Sequence, residues 1–130
     1  MAMDIHGQRE SPEERLASTE SNFDIEHEID ALRAEGDWQL AHNAKTLVKR
    51  SDLRVVLVAL NPGGRLDRHQ APGPITIHAL NGRLRVQVEA QSSELDAGHL
   101  LFIDAGIPHE VEALEASAFL LTVAWPKDEH

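Results

Sequence analysis

The chain has 130 residues, no cysteine and a formal net charge of −10, from 12 Lys and Arg against 22 Asp and Glu. This length suits one domain with a substantial core, and the lack of cysteine excludes disulfide scaffolds and thiolate metal sites. The acidic balance disfavours nucleic acid as a partner, because a polyanion would be repelled. No apolar run is long enough for a membrane helix, and residues 1–22 lack the apolar core of a secretory signal, so we expect a cytoplasmic protein.

The chain begins with a polar segment. Residues 1–22 are rich in Ser and Glu and predict a flexible arm, with a single domain over residues 23–126. A short helix is expected to open that domain and to dock on its body, because a capping residue precedes one apolar stripe and a glycine follows it. The cap is Asp24, the stripe is Ile25, Ile29 and Leu32, and the stop is Gly36.

From residue 43 onward the pattern changes to strands. Short apolar, β-branched runs alternate with turn residues and no helix lies between them, which is typical of an all-β sandwich or barrel. Asn81-Gly82 predicts a two-residue hairpin, because both residues tolerate positive φ, and QSS at 91–93 predicts a turn. The predicted strands cover residues 44–49, 53–60, 75–80, 83–89, 100–104, 108–114 and 117–124.

The strand predicted over residues 53–60 is apolar on both faces. Leu53, Val55, Leu57 and Ala59 form one face, and Val56, Val58 and Leu60 form the other. Alternation prevents both sets from filling one barrel interior, and the short helix cannot cover a whole sheet. We therefore expect a homodimer, since two-fold pairing of one patch is the commonest closed assembly.

Glycine and histidine residues form two groups in this region, each with its own spacing. Gly64, His69 and Gly82 form the first group, and Gly98, Gly106 and His109 form the second, with Asp104 and Ala113 at further positions of the second. Residues 64–113 thereby resemble the two-motif core of the cupin family. The resemblance implies the fold class: an all-β, cupin-type jelly-roll barrel, here with a short N-terminal helix. A fold alone does not specify a function, because this one hosts many chemistries.

The resemblance also implies a metal site, and the sequence departs from it. The family's site resembles a cluster of three histidines and one carboxylate, and only His69 and His109 match it; Ala71 and Ile75 occupy the other two positions. Two imidazoles alone bind a divalent ion weakly. We therefore expect no cofactor, although a divalent metal held by His69 and His109 stays open if a third ligand comes from elsewhere in the barrel.

Three other polar residues bear on that third ligand. If Ile75 and Ile77 point into the barrel, alternation turns His78 away from it, towards an interface or a second layer. His42 precedes the first strand, where it is either a solvated turn residue or carried by a loop over the barrel mouth. Asp104 lies in a turn, where its carboxylate is expected to accept backbone N–H groups.

The expected function is the binding of a small organic molecule in the barrel, in a sensing or accessory role. Alternatives are a metal-dependent cupin enzyme (an oxygenase, isomerase or lyase) that uses His69 and His109, and a structural or interaction module. A further alternative is that the two histidines bind no ligand and simply hydrogen-bond each other or an ordered water. In either case we expect their rings within about 4–6 Å of each other. Leu84 and Val86 should help to fill the barrel, and the expected ligand-binding residues are His69, His109, Ala71, Ile75, Ile77 and Phe102.

Overall fold

The structure is a computed structural model that describes residues 19–35 and 41–125. Most of the predicted N-terminal arm and the predicted helix stop at Gly36 lie outside these ranges. Within them the chain forms one helix and nine strands. The elements are α1 (Ile25–Ala34), β1 (His42–Lys49), β2 (Leu53–Leu60), β3 (Arg65–His69), β4 (Ile75–Asn81), β5 (Arg83–Val88), β6 (Gln91–Asp96), β7 (Leu100–Ile103), β8 (His109–Ala113) and β9 (Ser117–Ala124).

The strands form two sheets that pack face to face. The five-stranded sheet has the order β1-β2-β9-β4-β7, and the four-stranded sheet has the order β3-β8-β5-β6. The pairs are antiparallel, and only β1 with β2 and β5 with β6 are hairpins of consecutive strands. The chain otherwise crosses between the sheets at nearly every connection. This is the jelly-roll arrangement, and the predicted all-β barrel is confirmed. Its wall consists of two separate sheets, and in the described ranges no strand of one sheet is paired through backbone hydrogen bonds with a strand of the other.

The main core lies between the two sheets. Strand β5 shows how the sequence determines it, because Leu84 and Val86 are fully buried while Arg83 and Arg85 are exposed on the other side. This is the alternation that a half-buried strand requires. The buried side chains of this core come from both sheets and include Val58, Leu60, Ile75, Ile77, Ala79, Leu84, Val86, Leu95, Ile103, Val111, Ala113, Phe119 and Val123.

One local prediction from the sequence is wrong, and one strand was not predicted. Residues 91–93 are the start of β6 and not a turn, and the turn before them is Glu89-Ala90, with Glu89 at a φ of 54°. The strand escaped prediction because it is a polar edge strand in which only Leu95 is buried. Strand β3 was also missed, since its five residues are mostly polar and exposed.

The Asn81-Gly82 pair does not form the predicted hairpin. Strand β4 pairs with β9 and β7, whereas β5 pairs with β6 and β8 in the other sheet. Gly82 adopts the expected positive φ of 80°, but the bend that it allows carries the chain from one sheet to the other. A two-residue signal specifies the bend, and the partner of the next strand depends on the packing of the whole barrel.

The predicted helix docks on the outer face of the five-stranded sheet. The carboxylate of Asp24 accepts a hydrogen bond from the backbone N–H of His27 at 3.2 Å, which caps the helix as expected. The guanidinium of Arg33 donates to the carbonyl oxygens of Leu60 at 3.2 Å and Ser117 at 2.7 Å. A second, smaller core lies beneath the helix and comprises Ile29, Leu32, Leu57, Ala59 and Ala118.

The two apolar faces of β2 therefore have different environments. Val58 and Leu60 are buried in the main core with Val56 packed against it, and Leu57 and Ala59 are buried under α1. Leu53 and Val55, on the same outer face, lie beyond the helix and are not in either buried cluster. The expectation that the short helix covers only part of this face is confirmed. In the described ranges, the helix is too short to cross a membrane.

Candidate functional site

Two histidines meet at one end of the barrel. His69 is the last residue of β3, His109 is the first residue of β8, and they are register partners across the two strands. Their ring centroids are 4.3 Å apart and the ring planes make an angle of 62°, an edge-to-face contact. The predicted proximity is confirmed, because antiparallel partners place their side chains on the same face of the sheet.

The backbone determines which nitrogen of each ring carries a proton. Nδ1 of His69 lies 2.7 Å from the carbonyl oxygen of Asp67, and Nδ1 of His109 lies 3.0 Å from that of Ile107. A carbonyl oxygen can only accept, so each Nδ1 must donate and each Nε2 of the neutral rings holds a lone pair. While both rings are neutral in this tautomer, they cannot hydrogen-bond each other, because each Nε2 can only accept.

The two rings differ in their exposure to water. His109 has 3% of its surface exposed, whereas His69 is exposed at the mouth. Burial is the main cause that lowers the pKa of His109 from 6.5, and the nearby His69 lowers it further, while the hydrogen bond to Ile107 opposes the shift. At neutral pH His109 is therefore a neutral acceptor.

A cleft lies between the loop that follows His69 and the loop that precedes His109, and neither histidine is among its lining residues. Its volume is about 450 Å³, and it is a shallow depression that is widely open to solvent. The backbone N–H of Gly106 donates to the carbonyl oxygen of Ala71 at 2.9 Å, which ties the two loops together. The Asp104 carboxylate accepts from the N–H of Ala105 at 2.8 Å, the structural role that the sequence predicts. The cleft is lined by Gln70, Ala71, Pro72, Ala105 and Gly106.

The interior beyond the cleft is filled with side chains. Ile75 and Ile77 are 2% and 1% exposed, Leu84 and Val86 are fully buried, and Ala71 packs against this core. These residues occupy the barrel as expected, and they close it. A molecule held by this protein would therefore contact the mouth, not the middle of the barrel.

The assignment of Phe102 to the ligand site is wrong. Phe102 pairs with Thr76 and is 60% exposed, on the outer face of the five-stranded sheet. Leu101 and Ile103 take the inward positions of β7. The error has a simple origin: a strand of four residues carries too little alternation to define which face is buried, and a shift of one residue reverses every side chain.

The other two histidines considered for the site lie elsewhere. His78 is half-buried and pairs with Leu120 and Leu100 on the outer face of the sheet, away from the interior as alternation predicts. His42 pairs with Leu60, at the opposite end of the barrel from His69, so it does not reach the mouth.

The residues present do not fit the metal site that the fold implies. Ala71 and Ile75, in two of the four ligand positions, have no side-chain donor atom, and a metal held only by two imidazoles is bound weakly. Within residues 19–35 and 41–125, no group of three or more His, Cys, Asp or Glu side chains is arranged to hold a metal ion.

Most of the cleft escaped prediction from the sequence. Gln70, Pro72 and Ala105 lie in loops and have no periodicity or chemistry that marks a site. Only Ala71 and Gly106 were marked by the sequence, each as a position of one of the two motifs. A pocket built from loop residues depends on how the loops meet, and that is a property of the folded chain.

Comparison with known proteins agrees with this architecture. The family described as a cupin domain matches residues 56–125, which is more than half of the chain. A conserved protein of unknown function from Streptococcus pyogenes is 31% identical, with a TM-score of 0.65 over 70% of this chain and 80% of that chain. A search of curated proteins gave no match.

More distant solved structures share the fold alone. A cupin superfamily protein from Desulfitobacterium hafniense is 13% identical, with a TM-score of 0.66 over 70% of this chain and 84% of that chain. Salicylate 1,2-dioxygenase from Pseudoaminobacter salicylatoxidans, in adducts with gentisate, is 15% identical, with a TM-score of 0.69 over 78% of this chain and 32% of that chain. The motif spacing, the two-sheet jelly roll and the family match agree: the chain belongs to the cupin family.

Proposed function

We propose that this protein binds a small organic molecule at the mouth of the barrel, in a sensing or accessory role. The observation that carries the proposal is the pair of neighbouring imidazoles with their Nδ1 atoms engaged by backbone carbonyls. Among the residues that the structure describes, neither Nε2 atom has a hydrogen-bond partner. His109 is 3% exposed, and buried polar groups usually have partners, so its Nε2 favours a ligand that supplies one, with the Nε2 of His69 at the entrance beside it.

The two lone pairs favour a particular kind of ligand. Each Nε2 accepts a hydrogen bond, so a hydroxyl or amine group on the ligand would satisfy it, while an ether oxygen would not. A carboxylate is disfavoured while both rings are neutral, because it brings only acceptors to a pair of acceptors. The net charge of −10 also disfavours a carboxylate ligand, because it repels anions over a longer range.

The surroundings of the histidines favour a small and partly apolar ligand. The cleft of about 450 Å³ is widely open to solvent, so it would contact one side of a small ligand and leave the other side in water. Ala71 and Pro72 provide apolar contact in the cleft, and the filled interior around Ile75 and Ile77 sets the depth that a ligand can reach. The histidines then orient the polar end of the molecule.

The enzyme alternative requires more than the described residues provide. A metal-dependent oxygenase, isomerase or lyase would need a third ligand beside His69 and His109. Metal analysis of protein purified without an affinity tag tests this directly. Iron, nickel, manganese or zinc near one equivalent per chain would favour the enzyme over the binding protein.

The binding proposal is tested with matched pairs of small probes. Thermal unfolding is measured with phenol against anisole, and with cyclohexanol against methoxycyclohexane, so that each pair differs in one hydroxyl hydrogen replaced by a methyl group. We expect the two alcohols to raise the unfolding temperature more than their ethers, because a ligand of the native state stabilises it in proportion to its occupancy.

Two variants identify the histidines as the cause. His69→Ala should reduce the preference for the alcohols, because it removes one of the two acceptors, and it should not disturb the core, since His69 is exposed. His99→Ala is the matched control, because His99 is an exposed histidine in the turn before β7. Equal effects of alcohols and ethers on the wild-type protein, or an unchanged preference in His69→Ala, would contradict the proposal.

A further inference from the structure

The two imidazoles at the mouth form a matched pair of hydrogen-bond acceptors. Nδ1 of His69 is engaged by the carbonyl oxygen of Asp67, and Nδ1 of His109 by that of Ile107, in each case two residues earlier in the chain. A neutral ring that donates through Nδ1 accepts at Nε2, and hydrogen bonds in a chain polarise and strengthen one another. Both rings are therefore held with Nε2 as a strengthened acceptor.

The spacing of the rings suits a single donor atom that carries more than one hydrogen. A nitrogen that donates two hydrogen bonds of about 2.9 Å, at the tetrahedral angle, holds its two acceptors about 4.7 Å apart. The ring centroids of His69 and His109 lie 4.3 Å apart, which is a comparable spacing. A hydroxyl has one hydrogen and satisfies one ring, whereas a primary ammonium has three hydrogens and can satisfy both.

The loop before His109 is better matched to a ligand that only donates. The N–H of Ala105 donates to the Asp104 carboxylate at 2.8 Å, and the N–H of Gly106 donates to the carbonyl oxygen of Ala71 at 2.9 Å. These two backbone donors of the cleft are therefore already used. A hydroxyl brings two lone pairs that need donors, but an ammonium brings none, so an ammonium leaves fewer groups unpaired.

The charge around the mouth also favours a cation. The segments that form it, residues 67–72 and 104–109, contain two carboxylates, Asp67 and Asp104, and one guanidinium, Arg68. The net charge of the whole chain is −10, which attracts small cations to the surface and repels anions.

We propose that the ligand of this site is a small primary ammonium ion, whose nitrogen donates one hydrogen bond to Nε2 of His69 and one to Nε2 of His109. This inference rests on the proposed function and narrows its ligand class from hydrogen-bond donors in general to a cationic donor. The third N–H stays in water, since the cleft is widely open, and the apolar part of the ligand lies against Ala71 and Pro72. The ligand keeps its proton, because an alkylammonium group holds a proton far more tightly than an imidazole does.

Three probes that share one phenylmethyl group separate hydrogen bonding from charge. Benzylamine is a cation with three N–H donors, benzyl alcohol is neutral with one donor, and benzyltrimethylammonium is a cation with none. Their dissociation constants are measured by NMR titration of the full chain at about pH 7.5, where a primary amine is protonated. Benzylamine should bind about tenfold more tightly than either of the others, since a hydrogen bond from a charged donor contributes about that factor.

Two variants locate the ammonium group. His69→Ala leaves one acceptor at the mouth, so benzylamine should lose most of its advantage over benzyl alcohol. Circular dichroism should show that this variant is folded, since His69 is exposed. His99→Ala is the matched control at an exposed histidine outside the mouth, and it should keep the full advantage.

The outcomes distinguish this inference from the function on which it rests. If alcohols stabilise the protein more than their ethers but benzylamine binds no more tightly than benzyl alcohol, the ammonium proposal is wrong and the proposed function stands. Equal binding of benzylamine and benzyltrimethylammonium would also overturn the ammonium proposal, because charge alone would explain the attraction. An unchanged advantage of benzylamine in His69→Ala would contradict it as well. If neither benzylamine nor the alcohols bind in preference to their methylated counterparts, the proposed function fails too.

Discussion

The side-chain oxygen of Ser117 accepts a hydrogen bond from the backbone N–H of Arg83 at 2.9 Å, and it donates to the carbonyl oxygen of Glu115 at 2.8 Å. Ser117 is fully buried. Because it begins β9 and Arg83 begins β5, this hydroxyl joins the two sheets where the chain crosses between them. We expect Ser117→Ala to lower the free energy of unfolding by about 1–3 kcal/mol, since it leaves the partly buried N–H of Arg83 without its acceptor.

Urea denaturation measures this loss. Ser92→Ala is the matched control, because Ser92 is exposed on the edge strand β6, and it should change stability by less than about 0.5 kcal/mol. Similar losses in the two variants would show that the Ser117 hydroxyl does not hold the sheets together.

The bend at Gly82 should be sensitive to any side chain. Gly82 and Gly98 both have positive φ, 80° and 92°. A Cβ atom at Gly82 would lie 2.2 Å from the carbonyl oxygen of Ala116 and from Oγ of Ser117, whereas one at Gly98 would meet nothing within 4 Å. Gly98→Ala should therefore cost only the backbone strain, about 1–2 kcal/mol.

Gly82→Ala should cost more, because it adds overpacking of about 1–3 kcal/mol to the same backbone strain. Denaturant titrations of the two alanine variants isolate the contact term as their difference. Equal losses would mean that the neighbours of Gly82 move aside without cost, and the crossing between the sheets would then tolerate a side chain.

Adjacent residues of β5 should respond in opposite ways to truncation. Leu84 is fully buried in the main core, and Arg85 is exposed with ion pairs to Glu112 at 3.4 Å and Glu94 at 3.6 Å. Leu84→Ala should cost about 2–5 kcal/mol through the cavity that it leaves. Arg85→Ala should cost less than about 1 kcal/mol, because exposed ion pairs contribute little. A larger loss for Arg85→Ala in thermal or urea unfolding would mean that the charged face, and not the core, stabilises this sheet.

The sequence predicted the elements whose signal is local. The helix cap at Asp24, the alternation through Leu84 and Val86, and the apolar β2 each follow from periodicity, and the structure contains all three. The polar edge strand β6 and the sheet that follows Gly82 were not predictable in this way. Pairing partners are chosen by the packing of distant segments, and a polar edge strand buries too little to leave a pattern.

The candidate site was predictable to a similar extent. The motif spacing brought His69 and His109 together correctly, because both lie at strand ends fixed by the barrel. Phe102 was misplaced, since the parity of a four-residue strand is ambiguous. The loops that form the cleft could not be predicted from the sequence. Their conformation depends on the positions of the strand ends that they connect and on contacts between loops, such as the hydrogen bond from Gly106 to Ala71.

The burial of His109 should make the stability of the protein depend on pH. Burial first, and the neighbouring His69 second, lower the pKa of His109 below the value of 6.5 that it has in an unfolded chain. Between these two pKa values the unfolded state binds more protons than the folded state, so the free energy of unfolding falls as the pH falls. The loss begins as the pH drops below 6.5 and levels off once the pH is below the pKa of the folded state.

Proton NMR titration of the histidine signals measures the pKa directly, and the spectrum of His109→Gln identifies the resonance that belongs to His109. Urea unfolding at about pH 5 and about pH 7.5 measures the linked change in stability.

Carboxylates also contribute to acid destabilisation, so the informative quantity is the difference in stability loss between the variants and the wild type. His109→Gln should lose less stability than the wild type between these two pH values, because its residue 109 cannot gain a proton on unfolding. His99→Gln, at an exposed histidine, should lose as much as the wild type. If His109→Gln loses as much stability as the wild type, or if His109 titrates at or above 6.5, burial does not hold the ring neutral. The proposal that His69 and His109 form a pair of hydrogen-bond acceptors at the mouth would then be wrong.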